Sequence, residues 1–226
     1  MLDTQRLPRK LFLGPLLPGV VALALGACGG GNSGSTSAPS NGSPSISGIT
    51  LSPPAPVLSF VTQTKLTAVA IDPDGDPLTY NWNFGDGQAG AGQIVQHTFV
   101  SEGSLSVILT VTDGKGHQVT LTSTVVARTL TGQWRDLDPA WEMTVTQNGT
   151  AFTGTVTRAG VGLVSQIRDG VLTDPRNLRF FRDSSVSPPW YLGYTGNYAG
   201  SLDTTLNRIQ LVSPEDSRFT YDLTRQ

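Results

Sequence analysis

The sequence predicts an all-β protein in two domains. Three observations lead there. The 226 residues include 26 Gly and 15 Pro, the residues that punctuate turns, and 27 Thr, which suits a pleated, half-buried strand. Several segments alternate apolar and polar residues strictly, the period of a strand with one face buried. Only 14% of residues are charged, against about 25% in ordinary soluble domains. The same composition excludes whole classes of function. One Cys and two His rule out a disulfide framework, a Cys-rich zinc site and any His chemistry beyond His97 and His117. A net charge of −2 argues against a nucleic-acid partner.

The first element is an address. Arg6, Arg9 and Lys10 precede an apolar run over residues 11–25, which ends in Leu25-Gly26-Ala27-Cys28. A basic start, a short apolar stretch and small residues before a cleavage point make a secretory signal over residues 1–27. A membrane-spanning helix needs about 20 apolar residues; this run has 15 and contains Pro15 and Pro18. The ending resembles a bacterial lipobox, in which the cysteine is acylated and becomes the first mature residue. The resemblance implies lipidation of Cys28, and Gly29 after it favours an outer-membrane or surface location. Two or more acyl chains anchor stably, at about 0.8 kcal/mol per buried methylene. Residues 28–45 then form the lipidated Cys and a Gly/Ser tether whose r.m.s. reach is roughly 20–25 Å.

The 181 residues from 46 to 226 suit two domains, and charge supports the split. Residues 46–127 hold two basic and six acidic side chains; residues 128–226 hold ten Arg and ten Asp or Glu. The first domain is read over residues 46–127, the second over 130–226. In the first, residues 66–71 make a strand closed by Asp72-Pro-Asp-Gly-Asp-Pro77. Leu78, Tyr80, Trp82 and Phe84 alternate on the next strand, and Leu105, Val107, Leu109 and Val111 on a later one. Asp113-Gly114 reads as a hairpin turn before a return strand over residues 119–126. About seven short strands around one buried Trp suggest a sandwich of immunoglobulin type.

The stretch from Asp74 to Gly87 (DGDPLTYNWNFGDG) resembles the signature of the PKD domain, and His97-Thr98-Phe99 and residues 109–113 (LTVTD) resemble the later motifs of that family. The resemblance implies an extracellular immunoglobulin-like sandwich used as a spacer or as a module contacting protein or carbohydrate. It implies no catalysis.

In the second domain, residues 141–156 read as a hairpin about Asn148-Gly149. A two-residue type I′ loop there opposes Val145 to Phe152, Met143 to Gly154 and Trp141 to Val156, with the apolar residues on one face. Further segments at 163–172, 178–182, 194–202, 208–212 and 218–223 make an antiparallel meander of seven or eight strands. Such a meander closes into a small barrel or packs as a sandwich, and closure removes its edges. The Gly132-Gln-Trp134 opening is loosely similar to lipocalin-like and avidin-like barrels.

Three clusters could carry chemistry. Asp72, Asp74 and Asp76 sit at alternate positions in one turn, with Asp113 in another loop; Asp72, Asp74 and Asp113 are the candidate cradle for calcium, which wants six to eight oxygen ligands, and some PKD-like domains hold calcium in loops at this end. The alternative is a solvated turn whose carboxylates cap the backbone. No other cofactor is required. Trp190, Tyr191, Tyr194 and Tyr198 crowd one segment behind Pro188 and Pro189. They make either a binding loop or inward strand residues. The ten Arg of residues 128–226, with no Lys, suit carboxylate recognition by planar forks. With no Gly-x-Ser-x-Gly elbow and no His after residue 128, the chain reads as a non-enzyme. The function expected is a membrane-anchored surface lipoprotein that binds an envelope or extracellular polysaccharide or a protein partner. The alternative is a purely structural envelope component.

Overall fold

The computed structural model describes residues 40–136, 140–185, 195–216 and 220–226, without the side chains of residues 163 and 164. The leader, Cys28 and most of the tether lie outside these residues, as do Trp190, Tyr191 and Tyr194. Among the described residues the secondary structure is strand, and no helix is long and apolar enough to cross a membrane.

Eight strands build the first domain: β1 (Ser45–Ser52), β2 (Val57–Leu58), β3 (Gln63–Ile71), β4 (Thr79–Asn83), β5 (Ala89–Ala91), β6 (Ile94–Thr98), β7 (Gly103–Thr112) and β8 (Gln118–Arg128). They form two sheets, ordered β1-β3-β6 and β2-β8-β7-β4-β5. Alternation dictates what lies between them. Leu105, Val107, Leu109 and Val111 on β7 all point inward and are buried, and Trp82 on β4 is buried beside them. The Trp82 indole N–H donates to the carbonyl of Gly92 at 2.8 Å, so the large ring is buried without an orphaned donor. The β7–β8 hairpin turns at Asp113-Gly114, as expected. Thr112 pairs with Gln118, leaving a loop over residues 113–117 in which the Asp113 carboxylate accepts the N–H groups of Lys115 and His117. The side chain takes over bonds that a tighter turn would have made between backbones.

The second domain is an eight-stranded barrel. Its strands are β9 (Gly132–Asp136), β10 (Trp141–Asn148), β11 (Ala151–Arg158), β12 (Gly162–Leu172), β13 (Asn177–Asp183), β14 (Gly196–Leu202), β15 (Arg208–Val212) and β16 (Thr220–Arg225). Each pairs antiparallel with its neighbour in the chain, and β16 returns to β9, so the sheet closes. Closure leaves no unpaired edge within this sheet. The interior is filled by Trp134, Met143, Phe152, Ile167, Phe180 and Tyr198 among others. Small residues make room for the rings. A Cβ placed on Gly170 would lie 2.6 Å from the ring carbons of Phe152, so only glycine fits beneath that side chain.

The β10–β11 hairpin forms, but its register is displaced by two residues from the expected one. Val145 faces Gly154, Met143 faces Val156 and Trp141 faces Arg158, while Asn148 pairs with Ala151. The loop is therefore Gly149-Thr150. A shift of two keeps every side chain on its own face, so the alternation that identified the hairpin could not fix where it turns. Backbone conformation selects the turn. Gly149 has φ +62°, and Asn148 stays in the ladder, so one glycine at the first central position replaces the expected Asn-Gly pair. A Cβ on Gly149 meets nothing within 4 Å. Gly149→Val should thus act through backbone strain alone and cost roughly 1–3 kcal/mol. A thermal melt checks this, and an unchanged midpoint would contradict the turn assignment.

The two domains share packing at their junction. Leu58, from β2 of the sandwich, belongs to the barrel's buried cluster, and Val61 packs against that cluster. Gln147 on β10 ties the same place together: its carboxamide donates to the carbonyl of Ser59 at 3.2 Å and accepts the N–H of Leu130 at 2.6 Å. Trp134 closes this end of the barrel. Its indole N–H donates to the Leu130 carbonyl at 2.9 Å, and the Arg225 guanidinium sits 4.8 Å from its ring. The end of the barrel remote from the sandwich carries Trp141, Arg158, Arg182 and Tyr221.

Candidate functional site

The acidic turn after β3 is held by its own carboxylates. Asp72 Oδ1 accepts the N–H groups of Asp74 and Asp76 at 2.9 and 3.1 Å, the pattern that Asp-Pro-Asp-Gly-Asp favours in a turn. This brings single oxygens of Asp72, Asp74 and Asp76 within 4.8 Å of one another. Gly75 takes φ +79° at the apex. Asp72 Oδ2 and Asp76 Oδ2 are buried without a hydrogen-bond partner, so the turn keeps anionic oxygens that a hard cation could satisfy. One cation is already at hand. The Lys115 ammonium lies 2.6 Å from Asp76, and that contact, with Asp74 and Asp72 nearby, raises its pKa above the usual lysine range.

Asp113 lies outside this group of three. Asp113 accepts from the Asn41 carboxamide at 2.7 Å, contacts His117 Nδ1 at 3.1 Å and holds its own loop through the bonds described above. Burial alone would raise its pKa. The hydrogen bonds from Lys115 N–H, Asn41 and His117 outweigh burial and hold it down to about 2. A carboxyl depressed below its unfolded value near 3.9 contributes stability above about pH 4 and loses it as pH falls through the folded value. The melting temperature should therefore decline as pH drops from about 4 to about 2. Asp113→Asn, which cannot titrate, should flatten that part of the profile. A profile unchanged in the variant would place the acid sensitivity elsewhere.

His97 is a core residue. It is 7% exposed and stacks on Phe84 at 3.8 Å between ring centroids, edge-on to Phe99. Its Nε2 lies 2.8 Å from Asp86 Oδ2, which also accepts the Val100 N–H. Burial raises the Asp86 pKa, but His97, Val100 and Gln88 together hold it below the usual carboxylate range. The pair braces the loop after β4 against β6.

Of the four aromatics expected to form a binding segment, the structure describes Tyr198 alone. It points into the barrel, is 1% exposed, and stacks on Phe180 at 5.3 Å. Burial pushes its phenol well above the usual range; Tyr221 adds to the rise and Arg182 opposes it. Tyr198 borders a void of about 20 Å³ that is also lined by Trp141, Met143, Phe180, Arg182 and Tyr221. That is room for about one water, whereas small-molecule pockets run to about 300–1,000 Å³. Among the described residues the barrel interior is packed with side chains. Open space lies outside it, in a groove of about 690 Å³ bordered by Asp136, Asn177, Ser201, Gln210, Thr220 and Asp222.

The sequence reading missed one group at the remote end. Arg182 is 3% exposed, inside the barrel. Its Nε donates to Ser165 Oγ at 2.6 Å and its Nη1 donates to the Tyr221 hydroxyl. Its guanidinium lies 5.4 Å from the Trp141 ring centroid and 5.7 Å from that of Tyr221. A signal was present: Leu178, Phe180 and Arg182 alternate, which puts the Arg on the face of the two apolar residues.

This geometry defines an all-β protein with an immunoglobulin-type sandwich joined to a closed antiparallel barrel. Comparison with known families adds that residues 56–128, which span β2 to β8 of the sandwich, match the PKD domain. Sixty-one residues are 43% identical to part of a microbial collagenase from Vibrio alginolyticus, covering 27% of this chain and 8% of that protein. A solved structure described as a carbohydrate-binding module of the β-sandwich superfamily aligns with a TM-score of 0.38 at 21% identity, over 63% of this chain and 60% of the other.

Proposed function

We propose that the chain is a lipid-anchored envelope protein that binds a polysaccharide without catalysis, its PKD domain serving as stalk and contact surface and its barrel as the displayed module. The observation that carries this reading is the filled barrel beside a PKD domain. With no room inside for a whole small molecule, recognition falls to outer surfaces. The groove of about 690 Å³ on the barrel wall offers amide, hydroxyl and carboxylate groups of the kind that pair with sugar hydroxyls. Trp190, Tyr191 and Tyr194, between β13 and β14 in the chain, add aromatic faces that suit apolar sugar faces. A protein partner is the alternative ligand. A purely structural spacer is the second reading, favoured by the core shared across the junction.

The anchor rests on Cys28 and its surrounding residues, and the tether lifts the domains from the membrane. Cys28→Ser should move the protein from the detergent phase to the aqueous phase and leave its melting curve unchanged. Equal detergent partitioning of the two forms would remove the anchor from this reading.

Calcium, when bound, would rest on Asp72, Asp74 and Asp76 and brace the turn in place of the Lys115 ammonium. A ligand that binds only the folded state raises stability by mass action, about 2.7 kcal/mol at a hundred times its dissociation constant. Melting in calcium should exceed melting in chelator, and more so in Lys115→Met. Superimposable curves in both proteins would leave a turn that caps itself.

A further inference from the structure

The outer wall of the barrel carries a second groove of about 690 Å³, bordered by Asp169, Val171, Arg179, Phe181, Asn197 and Pro214. Ala199 lines this groove and also the one beside Asp136, so the two meet on β14. Strand pairing explains the join. Residues directly opposed on neighbouring strands share a face, and Val171, Arg179, Ala199, Val212 and Thr220 are opposed in turn from β12 to β16. Five strands spread that row over about 19 Å of wall. Beside it runs a polar row, Asn177, Ser201 and Gln210, opposed in the same way. The first row offers apolar surface, with Val212 40% exposed, and the second offers amides and a hydroxyl.

The second groove also holds charges without partners. Arg135, Arg168 and Arg208 each hold a carboxylate, whereas among the described residues neither Arg179 nor Asp169 takes part in an ion pair. Asp169 takes φ +52° in the bulge between Arg168 and Val171. Bulges re-aim side chains and recur beside functional sites. Gly170, next in this bulge, lies too close to the Phe152 ring to carry a Cβ, so core packing fixes the irregularity in place. Phe181 is partly buried on the outer face opposite Asn197. Among the described residues it stacks on no other ring, unlike Phe152, Phe180 and Tyr198 inside the barrel.

We propose that the two grooves form one track on which a neutral glycan chain lies across β12 to β16, its ring faces on the Ala199 row and Phe181, its hydroxyls on the Ser201 row, Arg179 and Asp169. A sugar hydroxyl donates and accepts at once, so vicinal hydroxyls can accept from the Arg179 fork and donate to Asp169. The two unpaired charges cancel, which leaves the second groove no preference for an ion. Asp136 and Asp222 border the other groove, so an acidic chain would meet carboxylates along its length. The small side chain of Ala199 keeps the passage between the grooves open. The proposal rests on the polysaccharide reading above and narrows it to a neutral chain on one face of the barrel.

The test is affinity electrophoresis of the full chain through gels containing dextran, hydroxyethylcellulose or mannan, with alginate as the acidic comparison. A neutral gel should retard the parent saturably, and alginate should not. Arg179→Met and Ala199→Gln, both at outer positions of the wall, should weaken retention by roughly tenfold while melting like the parent. Arg179 is exposed, so its variant carries the test even if Ala199→Gln melts lower. An oligosaccharide of the retained polymer should compete, and its monosaccharide should compete far more weakly, because one ring covers only part of the row. Retention unchanged in Arg179→Met, or a monosaccharide that competes as well as the oligosaccharide, overturns the track and leaves the polysaccharide reading standing. Retention by alginate alone overturns the neutral ligand in the same way. Free migration through every gel overturns the polysaccharide reading as well.

Discussion

Trp134→Ala is expected to cost about 3–5 kcal/mol, the range for truncating a large aromatic in a core. Trp134 is wholly buried and closes the sandwich end of the barrel. Its removal opens a cavity, orphans the Leu130 carbonyl and strips the Arg225 guanidinium of the ring beneath it. Arg225 is itself held below the usual arginine range, chiefly by burial and then by Arg128 nearby, so losing its cover falls on a cation already deprived of water. Denaturant unfolding followed by circular dichroism measures the loss. A cost below about 1 kcal/mol would mean that the site collapses freely and that Trp134 does not organise the barrel end.

Leu58→Ala is expected to cost about 2–5 kcal/mol and to be felt in the barrel, although Leu58 lies in the sandwich sequence. The side chain sits in the barrel's buried cluster, and the adjacent Ser59 carbonyl accepts from Gln147. If the junction is one packed unit, the variant should lower the unfolding midpoints reported by both domains. Hydrogen exchange resolves them: β9 and β10 amides should lose protection together with those of β2. Loss confined to the sandwich would show that the domains unfold independently across residues 128–131.

Much of this fold is written in short-range pattern. Period-two alternation put Leu105 to Val111 and Met143 to Val156 on the correct faces, because a strand with one buried face has no other way to arrange them. The hairpin register escaped the same logic, since a slip of two residues conserves every face and only the backbone at Gly149 and the fixing of Gln147 decide it. Barrel closure depends on β16 meeting β9, a pairing between residues about ninety positions apart that no local spacing encodes. The acidic turn was visible as three Asp residues at alternate positions. That Asp113 would spend its oxygens on its own loop, and that Lys115 would lean on Asp76, required the sheet to bring two distant turns together. Arg182 was hidden by its type, since an Arg is expected on the surface until the strand parity around it is taken at its word.

The central claim is that this is a binding protein and not a spacer. Affinity electrophoresis of the full chain through gels containing the polysaccharide of its own cell envelope tests it most directly. Saturable retardation is expected, and it should be lost in Trp190→Ala while that variant melts like the parent. Free migration of a natively melting chain, at every polysaccharide concentration, would contradict it and leave the structural spacer.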